Sequence, residues 1–205
     1  MGLGFNVGIT GDKFLIERLK KEPEKATKAA NLAITDATYY GWRLAKDEIG
    51  RQVNLSPGYI TQNLHIIKGK AGTINRHVIK GRFRPTSLAS FQPKKIGSRK
   101  GVSVKVKPGA RKRIPRAFLM GLKRGKSDNG NIGLAIRVPK GEKPRKQGLA
   151  VLLYKTPIRS RNQDVYLLYG PSIDQVLRND TVQKIIAPKV TRYLSAEFTR
   201  QYARL

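Results

Sequence analysis

The chain has 205 residues, of which 42 are Lys or Arg and 13 are Asp or Glu, so its formal net charge is +29 at pH 7. It has no cysteine, which excludes disulfides and thiolate metal sites. Its composition is 39% hydrophobic, enough for a folded core, but no apolar run approaches the roughly 18 residues of a membrane span. The start lacks the layout of a signal peptide, and we expect a soluble intracellular protein without membrane contact.

The positive charge is concentrated in one stretch. Residues 49–127 carry 20 Lys and Arg and no Asp or Glu, whereas residues 1–48 have a net charge of +1 and residues 128–205 of +8. These cations cannot neutralise one another locally. We therefore expect the stretch to face an external polyanion, either nucleic acid or an acidic protein surface.

The N-terminal region, residues 12–50, is predicted to be helical. Asp12 can cap a short helix to about Lys21, and Pro23 suits the first turn of a longer helix that ends near Ile49. In the longer helix, residues at spacings of three and four form one stripe: Ala26, Ala30, Ala33, Ala37, Tyr40 and Leu44. We interpret the stripe as part of the core, and a subunit contact is the alternative.

A β-rich basic region is predicted over residues 64–169. Ser56 and Pro57 can begin a short helix to about Leu64, which resembles a helix-turn-helix in spacing but which we interpret as a turn into a sheet. Strand patterns follow at residues 64–68, 75–80, 102–107, 131–138, 149–154 and 164–169, and the strands over 131–138 and 149–154 are predicted to form a pair. The strict alternation over 102–107 places Val102, Val104 and Val106 on the buried face and Ser103, Lys105 and Lys107 on the solvent face. Residues 82–100 have no period and are predicted to be a loop or arm.

The C-terminal region, residues 171–205, is predicted to be helical. Gly170, Pro171 and Ser172 should end the last strand and start a helix at Ile173. Apolar residues over 182–198 recur at helical spacing, and Pro188 should kink or split that helix. Helices at both ends of a mostly antiparallel sheet or partial barrel predict a single α+β domain over residues 1–205.

Residue types that carry catalysis are sparse. His65 and His77 lie on separate predicted strands, and we assign both a structural role. Asp128, Glu142 and Asp164 could gather as the magnesium ligands of a nuclease, but they lie in turn-like contexts. We therefore predict that the protein is not an enzyme and has no catalytic residue, metal or cofactor.

Clustered cations are the candidate contact residues. They suit phosphate contacts, which position a nucleic acid without reading its sequence, and they suit an acidic protein surface equally well. The residues predicted to contact DNA or an acidic partner are Arg82, Arg84, Lys94, Lys95, Arg99, Lys100, Arg111, Lys112, Arg113 and Arg116. Aromatic residues are few in this stretch, which disfavours stacking on single strands.

Three segments, in order along the chain, resemble the minor tail protein Z family of tailed phages and prophages, also called tail completion proteins. The first is the alanine-rich helix over residues 26–49, which passes through residues 55–64 into basic strands. The second is the strand over 101–106 leading to Ile114-Pro115-Arg116-Ala117-Phe118, similar to the family's IPxAF element. The third is Leu167-Leu168-Tyr169-Gly170-Pro171-Ser172, similar to its LYGPS element.

The resemblance implies a structural virion protein at the head-proximal end of the tail, which prepares the tail for head joining. It also implies a homo-oligomeric ring, with a hexamer favoured, that contacts tail terminator, tail tube and head-tail connector proteins and the end of packaged double-stranded DNA. Its location would be the virion tail or neck, after assembly in the host cytoplasm. The residues leave one alternative open, a general nucleic-acid-binding structural protein that coats RNA or DNA. The chain departs from the family at residues 139–148 and 123–130.

Overall fold

The computed structural model describes residues 5–7, 17, 20–97, 100–122, 132–142, 152–159 and 162–205, with only the backbone described for 5–7 and 152–159. The chain forms two compact units, each assembled from segments that are separated in sequence. Unit 1 comprises residues 1–49, 57–83 and 173–205, and unit 2 comprises residues 50–56 and 84–172. In the described part of the chain, no helix combines the length and the apolar character needed to cross a bilayer.

Unit 1 contains the α-helices: α1 Pro23–Gln52, whose last turn passes into unit 2, α2 Pro57–Asn63, α3 Ile173–Leu177 and α4 Asp180–Arg204. The long helices α1 and α4 pack antiparallel. The Lys25 ammonium near the start of α1 lies 4.7 Å from the ring centroid of Tyr202 at the end of α4. Further along α1, Tyr40 stacks on Tyr193 with ring centroids 4.3 Å apart. The predicted terminal helices are therefore confirmed, and they pack on each other.

The predicted alanine stripe is buried inside unit 1. Its four alanines are each at most 1% exposed: Ala26, Ala30, Ala33 and Ala37. The stripe continues through Gly41 and Ala45 rather than through Tyr40 and Leu44, which are half-buried. A Cβ at Gly41 would lie 3.1 Å from Val190. The small residues thus allow α4 to approach closely, and the interpretation of the stripe as core is confirmed.

Among the described residues of unit 1 are five strands: β1 Phe5–Val7, β2 Leu64–Ile67, β3 Lys70–Ala71, β4 Ile74–Asn75 and β5 His77–Gly81. β5 is the central strand of an antiparallel sheet in the order β1-β5-β2, and β3 and β4 form a separate hairpin. α2 ends at Asn63 and β2 begins at Leu64, so residues 55–64 turn the chain into a sheet as predicted.

The described part of unit 2 contains eight strands: β6 Thr86–Ser87, β7 Lys94–Lys95, β8 Val102–Val104, β9 Lys112–Ile114, β10 Phe118–Gly121, β11 Ile132–Pro139, β12 Leu152–Arg159 and β13 Gln163–Gly170. One sheet has the order β10-β11-β13-β12, with β6 pairing the end of β13, and a second has the order β7-β8-β9. All pairings are antiparallel, and no sheet of the described residues closes into a barrel. The α+β class is confirmed, with open sheets.

The segment predicted as a loop or arm, residues 82–100, is folded over its middle. It contains β6, a 3₁₀ turn over Leu88–Ser90 and β7. Leu88 and Phe91 are fully buried, and a Cβ at Gly170 would lie 3.1 Å and 3.0 Å from their side chains. These two apolar side chains fix the segment against the end of β13. The sequence did not predict this, because two apolar residues are too few to show a strand or helix periodicity.

The strand predicted over residues 102–107 ends earlier, at Val104. The placement of Ser103 on a solvent face is wrong, because it is only 9% exposed between β7 and β9. Its hydroxyl donates to the Lys94 carbonyl at 3.3 Å. The backbone N–H of Lys105 donates to the Phe91 carbonyl at 3.0 Å, which draws the chain out of the sheet.

Three further predictions differ from the structure or lie outside it. The strands predicted over 131–138 and 149–154 correspond to β11 and β12, but β13 lies between them. Pro188 does not split the last helix, which is continuous over Asp180–Arg204. Proline has no N–H to donate to the carbonyl four residues earlier, but Pro188 lies on an exposed face, so water can hydrogen-bond to that carbonyl instead. The short helix predicted from Asp12 to Lys21, and the connection over 139–148, lie mostly outside the described residues.

Candidate polyanion-binding surface

Unit 2 concentrates the positive charge of the chain. Its residues include 23 Lys and Arg against three Asp and Glu, whereas those of unit 1 include 19 against ten. In unit 1, carboxylates pair with cations three or four residues further along the chain, as Asp174 does with Arg178 at 2.7 Å and Glu197 with Arg200. Cations therefore outnumber acids far more in unit 2, which contains most of the acid-free stretch recognised in the sequence.

The three-stranded sheet of unit 2 divides the predicted contact cations between its two faces. Across the sheet, Lys94 is paired with Ser103 and Ser103 with Arg113. The next row pairs Lys95 with Val102. Directly opposed residues share a face, so Lys94 and Arg113 lie on one side and Lys95 on the other. Adjacent lysines in the sequence therefore belong to different surfaces.

Two arginines of this sheet are held by neutral acceptors. The Arg111 Nη1 donates to the Gln92 carbonyl at 3.0 Å and to the Ser103 hydroxyl at 3.4 Å. The Arg113 Nε donates to the Lys100 carbonyl at 2.9 Å. These bonds orient both guanidinium groups without neutralising them, so each arginine stabilises the sheet and also presents its charge.

The structure places most of the other predicted contact cations on the surface of unit 2. The exposed ones in unit 2 that have no acidic partner among the described residues are Arg84, Lys94, Lys95, Lys100, Lys112 and Arg116. Arg82 belongs to unit 1, where its Nη1 donates to the Asn63 side-chain oxygen at 3.3 Å. Arg99 lies outside the described residues.

A cavity of about 390 Å³ opens in unit 2 beside the IPxAF-like element. Its lining includes three cations, Lys95, Arg116 and Arg137, together with Gly101 and Phe118. Among the described residues, none of those that line it is acidic. The structure thus brings two of the predicted contact residues, Lys95 and Arg116, to one site with a cation that the sequence did not single out.

The IPxAF-like element forms the turn that presents Arg116. Ile114 is 1% exposed and anchors the turn, whose Ala117 N–H donates to the Ile114 carbonyl at 3.4 Å. Arg116 has a φ of +58°, at a turn position where glycine or asparagine is usual. Gly101 packs beneath this turn with φ +95°, and a Cβ there would lie 2.3 Å from the Ile114 carbonyl oxygen. Pro115 precedes Arg116 and supplies the fixed φ that the turn requires.

Arg137 is the functional candidate that sequence reasoning missed. It lies in the apolar strand β11, beyond the acid-free stretch, and its side chain is exposed. Its guanidinium carbon is 4.4 Å from the ring centroid of Phe118. Phe118 pairs with Ala135, two residues before Arg137, so the two side chains share a face. The available signal was a single charged residue in an otherwise apolar strand.

The LYGPS-like element ends the last strand of unit 2. Tyr169 pairs with Ser87 and Gly170 with Thr86, so the folded arm adds a short strand here. After Pro171 the chain leaves unit 2 and enters α3 at Ile173. The position of this element, between the last strand of unit 2 and α3, fits the predicted structural role of Tyr169, Gly170 and Pro171.

The histidines and acids form no metal site in the described part of the chain, where no group of three or more His, Asp and Glu residues could hold an ion. His77 is 5% exposed and its Nδ1 accepts the Gly69 N–H at 3.4 Å, while burial and the nearby Lys68 lower the pKa of its imidazole. This environment fits the structural role assigned to His77, whereas His65 is exposed. Asp128, one of the three acids considered for a nuclease, lies outside the described residues.

Comparison with protein-family models, with curated proteins and with solved structures finds no match for this chain. The resemblance to the minor tail protein Z family therefore stays a prediction that depends on the three segments described above.

Proposed function

We propose that this chain is a structural, non-enzymatic protein of a tailed phage, a tail completion or neck component that prepares the head-proximal end of the tail for head joining. One observation carries the proposal: the turn made by the family-like IPxAF element presents Arg116 on a unit with 23 basic and three acidic residues. The proposed ring, with a hexamer favoured, and its tail terminator, tail tube and connector partners belong to the same proposal.

The physical argument is charge neutralisation by a partner. A unit with so few carboxylates repels itself until a polyanion approaches, and its cations are fixed on a sheet rather than on an unstructured tail. Fixed cations lose less conformational entropy on binding, which favours a defined contact. A head-to-tail junction supplies two such partners, an acidic ring of subunits and the end of packaged double-stranded DNA.

Assembly in vitro tests the neck role. Tails made without this protein, mixed with DNA-filled heads, should remain unjoined until the purified chain is added, and the added chain should be visible at the neck by electron microscopy. Heads and tails that join equally well without it would refute the proposal.

A salt titration tests whether double-stranded DNA is the partner. Each phosphate contact contributes roughly 0.9 to the slope of log affinity against log salt, so six to ten contacts reduce affinity by about 10³ to 10⁵ between about 50 and 200 mM salt. An affinity that does not change over this range excludes several phosphate contacts and directs the search to acidic proteins of the neck.

The second candidate is a general nucleic-acid-binding protein that coats RNA or DNA. The observation in its favour is that cations are exposed on both faces of the β7-β8-β9 sheet, with no acidic partner among the described residues. Co-purification separates the two functions, since a neck protein should be recovered with tails and a coating protein with bulk nucleic acid. Light scattering of the isolated chain tests the ring, and a stable monomer at high concentration would contradict self-assembly without partners.

A further inference from the structure

The cavity in unit 2 has the features of a site for one discrete anion rather than of an open basic surface. Its three cations come from three separate elements: Lys95 from β7, Arg116 from the turn between β9 and β10, and Arg137 from β11. The glycines Gly97 and Gly101 also line it. Cations from different elements therefore line one cavity. A basic face that is only solvated needs no such convergence.

The structure constrains two of these cations before any ligand binds, Arg137 through its side chain and Arg116 through its backbone. The guanidinium of Arg137 lies over Phe118 at 4.4 Å, and such stacking leaves its N–H edge available to a bidentate acceptor. Arg116 is held by a turn in which its backbone adopts φ +58°, although glycine would adopt this conformation at lower cost. An unfavourable backbone conformation kept at a charged residue indicates a role for that side chain.

We propose that this cavity binds a phosphate group, and that its preferred form is a phosphomonoester. The inference rests on the polyanion-binding role proposed above and narrows the ligand. A phosphomonoester carries about −1.5 to −2 charges near pH 7 and three terminal oxygens, which match three cations better than a singly charged carboxylate or an internal phosphodiester. At a nucleic-acid end, this group is the terminal phosphate; free in solution, it is inorganic phosphate.

The experiment uses the full-length chain, with inorganic phosphate and a short blunt DNA duplex as probes. The duplex is prepared with either 5′-phosphate or 5′-hydroxyl ends, which differ only in the proposed ligand. Binding is measured by titration calorimetry for inorganic phosphate and by fluorescence anisotropy for the duplexes, at one fixed ionic strength of about 150 mM, where the screening length is about 8 Å.

The variants separate the cavity from net charge and from folding. Arg116→Asn removes the guanidinium but retains a residue that tolerates positive φ, so the turn should persist. Lys95→Gln removes a cation of the cavity, and its matched control Lys94→Gln removes the neighbouring cation from the opposite face of the same sheet. Arg137→Lys keeps the charge but loses the planar group that stacks on Phe118.

We expect inorganic phosphate to bind the unaltered chain, and Lys95→Gln and Arg116→Asn each to weaken it roughly 10- to 100-fold through loss of a charge-assisted hydrogen bond. Lys94→Gln should change it less than about twofold, since its charge is on the opposite face and is screened by solvent. Arg137→Lys should weaken binding despite the unchanged charge. The 5′-phosphorylated duplex should bind more tightly than the 5′-hydroxyl duplex.

Several results would overturn the inference. Absence of phosphate binding refutes the site. Equal losses of phosphate affinity in Lys95→Gln and Lys94→Gln would show that binding depends on net charge alone. Equal affinity for the two duplexes refutes the phosphomonoester as the preferred form. The neck role is tested separately: phosphate binding without head joining refutes that role and supports the site, while normal head joining by Arg116→Asn, with phosphate binding lost, refutes the site's part in joining.

Discussion

Replacement of Gly101 by alanine tests the packing that presents Arg116. Gly101 has φ +95°, and an added Cβ would lie 2.3 Å from the Ile114 carbonyl oxygen and 3.0 Å from the Arg116 nitrogen. The positive φ alone costs an L-residue roughly 1–2 kcal/mol. Because the opposing atoms are backbone, relief of the overlap must shift the turn, at a further cost of about 1–3 kcal/mol. We therefore expect Gly101→Ala to destabilise unit 2 by about 2–5 kcal/mol.

Gly109→Ala is the matched control for this prediction. Gly109 lies in the same unit with φ +86°, but nothing lies within 4 Å of an added Cβ, so only the backbone term of roughly 1–2 kcal/mol applies. At about 2–4 °C per kcal/mol for a chain of this size, the unfolding temperature of Gly101→Ala should lie about 2–12 °C below that of the control. Thermal melts followed by circular dichroism, with hydrogen exchange over residues 102–117, provide the comparison. Equal unfolding temperatures would show that the IPxAF-like turn does not rest on Gly101.

Two further predictions concern unit 1. Burial, with Glu197 beside it as a secondary cause, raises the pKa of Asp36, so the folded state binds its proton more tightly than the unfolded state does. Asp36→Asn should therefore match the parent chain in stability below the ordinary pKa of 3.8 and exceed it by an amount that grows as pH rises from there through the raised pKa of the folded carboxyl. A constant difference in urea midpoints between about pH 3 and pH 7 would contradict this assignment. Trp42→Phe removes the indole N–H that donates to the Leu64 carbonyl at 2.9 Å and should lower the free energy of unfolding by about 1–2 kcal/mol. Tyr39→Phe, at a 45% exposed ring, should change it by less than about 0.5 kcal/mol when both are measured by circular dichroism, and equal losses would argue against the Trp42 hydrogen bond.

Regular periodicity made the helices of unit 1 predictable from the sequence. Ala26, Ala30, Ala33 and Ala37 mark the buried face of α1 because their spacing follows the helical repeat. The prediction was wrong only at the end of the stripe, where Gly41 is buried against Val190 of α4 while the larger Tyr40 is half-buried and stacks on Tyr193 of the same helix. Which small residue faces the partner depends on the distance between the helices, which a single sequence does not contain.

The irregular parts of unit 2 could not be predicted because their contacts are long-range. Leu88 and Phe91 fix the folded arm through Gly170, almost 80 residues further along the chain. Ser103 is buried because it lies between Lys94 and Arg113 of the flanking strands and accepts a hydrogen bond from Arg111, whereas alternation reports only one strand at a time. The same limit applies to the candidate site: charge clustering identified Lys95 and Arg116, but Arg137 reaches them only through sheet pairing.

The charge imbalance of unit 2 predicts that its stability depends on ions more strongly than that of unit 1. Cations that outnumber acids 23 to three repel one another, and raising the salt from about 10 to 150 mM shortens the screening length from about 30 to 8 Å. Hydrogen exchange should therefore slow with salt in β8, β9 and β11 by a larger factor than in α1 and α4, which belong to the less charged unit.

A bound polyanion should produce the same effect at constant ionic strength, because it supplies the charge that unit 2 lacks. Pyrophosphate, adjusted against sodium chloride to equal ionic strength, should slow exchange in β8, β9 and β11 beyond the effect of the chloride salt. Equal protection of both units by either salt would mean that solvent already screens the excess positive charge of unit 2. Selective protection of unit 2 by pyrophosphate would indicate that the charge which destabilises the free chain also provides its binding free energy for a partner.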